Sequence, residues 1–77
     1  MTSKLDPRFK AKQFARILRN ARERNGIESQ GELVELTGIP PSTFYLRMRD
    51  MKWSLPQLVQ IFKVANFSDK EKLEVMS

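Results

Sequence analysis

The 77-residue chain has no cysteine and no histidine. Without thiols there is no disulfide framework, no thiolate nucleophile and no Cys-type zinc site, and without imidazole the commonest general base and metal ligand is missing. The three glycines are scattered at 26, 31 and 38, so no Gly-rich phosphate loop is present either. An enzyme is therefore not expected, and no catalytic residue, metal or cofactor is assigned. No apolar run of 18 residues exists, nor an apolar segment with a small-residue cleavage site near Met1, so neither a membrane span nor a secretory signal is expected. A chain of this length makes one domain that buries roughly 60% of its unfolded surface, with little room for a small-molecule pocket.

What is present is positive charge, unevenly placed. The net charge is +5, but residues 1–26 carry eight Lys or Arg against two acids, and 27–38 carry three acids and no base. Residues 39–53 are again basic, and 54–77 balance. A basic surplus of this kind favours an anionic partner, although it also occurs on proteins that are merely soluble.

Capping signals divide the chain. Ser29 with Glu32, Ser54 with Gln57 and Ser68 with Glu71 each have the spacing of a capping box, and Asp6-Pro7 is a fourth plausible helix start. Each precedes apolar residues of helical period, and no strand-like alternation of useful length occurs. The expectation is an all-α bundle of five short helices over about 10–24, 30–37, 41–49, 55–65 and 69–76, with residues 1–9 as an N-terminal arm and 10–77 as the domain. Phe14, Ile17, Leu18 and Ala21 form the inner stripe of the first helix; Lys12, Arg16 and Arg19 fall opposite. Gly38 turns the chain after the second helix, and Pro40-Pro41 begin a separate third one. There, Phe44 and Met48 share one face, with Ser42, Tyr45, Leu46 and Arg49 around the other. The fourth helix offers two apolar faces, Leu55, Leu58, Val59, Phe62 and Ala65 on one and Ile61 with Val64 on the second.

Two short helices joined by a tight glycine turn, the second greasy on one side and polar on the other, suit insertion into a DNA major groove. The run from Gln30 through Leu33, Gly38 and Phe44 resembles the helix-turn-helix of phage repressor and Cro-type regulators, also called xenobiotic-response-element-like proteins. The resemblance covers roughly residues 14–65 and implies a lambda-repressor-like fold. It implies that Gln30 bonds a backbone phosphate, that Pro41, Ser42, Tyr45 and Leu46 face base edges with Thr43 and Arg47 alongside, and that Arg49 and Lys52 contact phosphates. Three departures stand out: Val34 replaces a usual alanine, Leu46 is apolar on the outer face, and the bidentate pairs that read guanine and adenine are sparse. Readout through thymine methyls and groove shape then weighs more.

The resemblance implies a sequence-specific transcriptional regulator, cytoplasmic and associated with the nucleoid of a bacterial host, bound to double-stranded DNA as a homodimer on a pseudo-palindromic site. The candidate dimer surface is Ile61, Val64, Leu73 and Met76, the alternative for Ile61 and Val64 being burial under the last helix. The competing function is a protein-interaction module, an antirepressor or inhibitor that uses Tyr45 and Leu46 to bind protein. Trp53 reads either as a clamp on a sugar-phosphate or as a lid over the core. By default Lys12, Arg16 and Arg19 are a solvated face, and Arg22 and Arg24 are the candidates of the first helix for phosphate contact.

Overall fold

A computed structural model describes residues 7–76, and within them the chain forms five helices and no strand: α1 (Pro7–Arg24), α2 (Gln30–Thr37), α3 (Pro41–Asp50), α4 (Leu55–Val64) and α5 (Asp69–Met76). The expected order is all there, with one shift of substance. Helix α1 begins at Pro7 rather than near Lys10, so residues 7–9, expected in the arm, are helical. A proline in the first turn costs nothing because its absent N–H would have no partner there. Asp6, the expected cap, and the rest of the arm lie outside the described residues.

The caps explain where the other helices start. At α4, the Ser54 hydroxyl accepts the Gln57 N–H at 3.3 Å while the Gln57 side chain accepts the Ser54 N–H at 2.9 Å, and Ser68 with Glu71 repeats the arrangement at α5. At α2 only half the expected box forms. Ser29 accepts from Glu32, but the Glu32 carboxylate accepts the N–H of Glu28 instead of that of Ser29. Gly38, at φ 75°, supplies the left-handed residue that ends α2, and its N–H donates to Glu35. Buried Thr37 completes the turn, its hydroxyl donating to the Val34 carbonyl at 2.6 Å and accepting the Ile39 N–H at 3.2 Å. Without those two bonds the α2 to α3 connection would leave polar groups buried and unpaired.

The core collects Phe14, Ile17, Leu18 and Ala21 from α1, Leu33 and Val34 from α2, Phe44 from α3, and Ile61 and Phe62 from α4, with Ile27, Ile39, Ala65 and Phe67 contributed by connections. Helix α1 packs on α2, α3 and α5, while α4 packs on α2. Two expectations change here. Leu58, Ile61 and Phe62 of α4, continued by Ala65 just past its end, form one inward stripe at i, i+3, i+4 and i+7, which leaves Leu55 and Val59 exposed at its margin. Ile61 is fully buried inside the monomer, so it leaves the candidate dimer surface, and Val64 is half-buried against the same core.

Trp53 follows α3 and inserts its ring between Phe14 and Phe44, with centroids 5.5 and 5.2 Å away. It is a lid on the core, as one of its two readings had it. Its indole N–H is buried with no acceptor among the described residues, a cost of about 1–3 kcal/mol that ring burial must exceed. Trp53→Ala is expected to lower stability by about 3–5 kcal/mol, whereas Trp53→Phe keeps most of the packing and discards the unpaired donor. Urea denaturation followed by circular dichroism separates the two; equal losses would contradict this account.

Helix α5 is tied down differently. It has no fully buried residue, and two turns do not hold alone. Arg24 at the end of α1 grips Glu71 through both carboxylate oxygens, at 2.8 and 3.1 Å, and donates to the Asn66 carbonyl as well. The Arg24 hydrogen bonds, opposed by desolvation and helped by the Ser68 N–H, hold the Glu71 carboxyl below its usual range. A lowered folded pKa stabilises above the unfolded value and is lost as pH falls through the folded one. Glu71→Gln is thus expected to lower the melting temperature by several degrees near neutral pH, with the gap from wild type closing below the carboxylate range. A pH-independent gap would mean that the ion pair does not anchor α5.

Candidate nucleic-acid interface

Helix α3 is held from within by Phe44, which is fully buried, and Met48, which is half-buried against the core. Pro41 occupies its first turn, where the missing N–H is harmless, and Met51 closes it in the left-handed region at φ 57°, donating its N–H to Arg47. A left-handed non-glycine residue costs about 1–2 kcal/mol, and packing of the Met51 side chain on the core offsets it. The result is a ten-residue helix with a fixed rotation about its axis.

That rotation decides which candidates meet. At 3.6 residues per turn, Ser42, Tyr45, Leu46 and Arg49 fall within an arc of about 100° opposite Phe44. All four are exposed, Tyr45 at 44% and Leu46 at 42%. The Tyr45 ring meets Phe44 edge-on at 5.8 Å, so it is braced from within although the residue is exposed. Exposed Pro41 stands at the N-terminal end of the same helix. Thr43 and Arg47 lie on the flank, half-buried. The Arg47 guanidinium donates to Asp50 at 2.9 Å, and the other oxygen of that carboxylate accepts the Lys52 N–H. Arg47 therefore orders the end of α3 and the following loop, whereas Arg49 and Lys52 are exposed and have no ion pair among the described residues.

Gln30 opens α2, half-buried, and lines an open groove with Lys12, Ala15, Arg16, Arg19 and Arg22 of α1. The resemblance gave Gln30 a backbone phosphate as its partner and implied none of these α1 neighbours. The spacing that puts Lys12, Arg16 and Arg19 on one face was visible; the approach of that face to Gln30 depends on how α1 crosses α2. The two cations singled out at the end of α1 are occupied instead. Arg22 donates to the Ile27 carbonyl at 3.0 Å and Arg24 holds Glu71. A second open groove, of about 490 Å³, joins Arg8, Phe9, Ala11 and Lys12 to Met48 and Arg49.

Among the described residues no cluster of acids could hold a metal ion, and no helix is long and apolar enough to cross a membrane. No protein family, curated protein or solved structure matches the chain.

Proposed function

We propose that α2 and α3 form a helix-turn-helix and that the protein is a sequence-specific regulator binding double-stranded DNA, with α3 in the major groove. The observation that carries the reading is the outer face of α3: Ser42, Tyr45, Leu46 and Arg49 project together, unencumbered by structural bonds, from a helix locked by Phe44 and Trp53. Gln30 and the α2 N-terminus hold a phosphate on one side, Arg49 and Lys52 on the other, and Tyr45 with Leu46 meets thymine methyls and base edges. Arg47 serves as a support for that face.

A homodimer on a two-fold operator completes the proposal. Half-sites one turn apart need α3 helices about 34 Å from each other. A domain of 34 × 26 × 21 Å is long enough to set that spacing. With Ile61 in the core, the dimer surface rests on Leu73 and Met76, both well exposed on α5, a helix that gains most from further burial. Leu73→Asp with Met76→Asp is expected to sediment at the mass of one 9.0 kDa chain, while Leu55→Asp with Val59→Asp leaves the dimer intact. The reverse pattern would move the interface to α4.

Selection of duplexes from a random pool tests the function. A palindromic winner is expected, its log K falling with log salt at a slope near −0.9 for each of roughly four to six phosphates per protomer. Tyr45→Ala is expected to erode preference over scrambled DNA by about 1–3 kcal/mol, whereas Arg49→Ala weakens every duplex alike. If neither variant changes affinity for any duplex, α3 is the wrong helix. One observation favours a second reading, a protein-interaction module: Leu36, Leu55 and Val59 are exposed in addition to Tyr45 and Leu46. Capture of a protein partner that survives nuclease and high salt, with no duplex selected, would favour it.

A further inference from the structure

The cationic face of α1 is not accounted for by the α2–α3 unit, nor by the fold. Helix α1 has no acid in its first turn, and Glu23 is the only acid within it. Arg19 stands 3.9 Å from that carboxylate, Arg22 caps a carbonyl and Arg24 anchors α5. Lys12 and Arg16, by contrast, are exposed and have no ion pair or hydrogen bond among the described residues. Where the chain uses a cation for itself, it supplies a partner; for Lys12 and Arg16 the described residues supply none.

Their position is the second observation. Lys12 lines the groove that leads to Met48 and Arg49 at the end of α3, and also the groove that leads to Gln30 at the start of α2. A third concavity, between Phe9, Gln13 and Arg16, lies against it too. The Lys12–Arg16 pair therefore stands between the two places already proposed to hold phosphates, one helical turn or about 6 Å along α1 from each other. A strand running from Gln30 to Arg49 would cross both.

We infer that Lys12 and Arg16 form a phosphate track on which one strand of the duplex backbone lies, so that α1 is part of the DNA interface and not a solvated face. The inference rests on the helix-turn-helix reading and adds two contacts to it. Long flexible cations that touch only phosphate carry no sequence information, so the track sets affinity and register while α3 sets preference.

The test is Lys12→Gln with Arg16→Gln in the full chain, compared with Lys63→Gln plus Lys70→Gln, which removes the same charge from exposed sites on α4 and α5. Glutamine keeps helix propensity at both α1 sites, so folding is preserved. Binding of the selected duplex and of its scrambled version is measured across a salt series. The α1 variant is expected to lose about 50-fold per protomer at 0.1 M salt on both duplexes, and its salt slope is expected to be shallower by about 1.8 per protomer, two phosphates' worth in each subunit. The ratio between duplexes stays at the wild-type value, and the control stays close to wild type. An α1 variant that titrates like the control overturns the track while leaving the helix-turn-helix reading in place. A wild type that binds no duplex overturns both, and a change in the ratio between duplexes would make these residues part of base reading instead.

Discussion

The insertion of Trp53 between Phe14 and Phe44 is the contact on which the remaining geometry depends. It joins the middle of α1 to the middle of α3 through a residue from the loop that follows α3, so one ring fixes both the distance between two helices and the exit of the chain. The rotation of α3 follows from it: with Phe44 pinned against the indole, the opposite arc of the helix has to face solvent. A chain of this size has few such anchors, and an aromatic cluster concentrates burial in few residues. The indole N–H finds no acceptor among the described residues, so the contact rests on the packing of the three rings.

Around that anchor, local bonds fix ends and distant ones fix docking. Capping by Ser29, Ser54 and Ser68 and the left-handed turn at Gly38 are decided within a few residues of chain. The docking contacts span much more: Arg24 reaches Glu71 across 47 residues, and the Asn25 side chain donates to the carbonyls of both Ala21 and Ala65, stitching the ends of α1 and α4. Fully buried Ala21 and Ala65 leave room for that approach. A scaffold divided this way places its stabilising contacts behind α3, so the outer face of that helix carries no structural duty.

The same division separates what could be read from residues alone from what could not. Serine three residues before Glu or Gln, glycine after an apolar run and Phe14-Ile17-Leu18-Ala21 are local patterns, and the five helices were legible from them nearly to their ends. Periodicity names a face but not its neighbour. Hence α4 offered two apolar stripes, and only its packing on α2 shows that Leu58, Ile61, Phe62 and Ala65 lie inward while Leu55 and Val59 do not. The outer face of α3 was legible for the same reason its inner one was, since Phe44 and Met48 set the phase. The engagement of Arg47 by Asp50 was within reach as an i, i+3 pair. The pairing of Arg24 with Glu71, and the approach of Gln30 to Lys12 and Arg16, were not, because they depend on where helices distant in sequence cross.

Charge illustrates how much that crossing decides. By composition the N-terminal third is simply the most basic part of the chain, and position along it favoured Arg22 and Arg24 over Lys12, Arg16 and Arg19. Folding does the ranking: Arg22 and Arg24 are drawn into bonds that hold the scaffold, Arg19 is shared with Glu23, and Lys12 and Arg16 are left facing outward between α2 and α3. The acids are sorted as well. Glu71 and Asp50 are committed to bonds that hold α5 and the end of α3, while Glu28, Glu32 and Glu35 remain exposed around α2. On the proposed reading, the net charge of +5 matters less for its size than for this sorting, because orientation on a duplex requires a gradient and not merely a surplus.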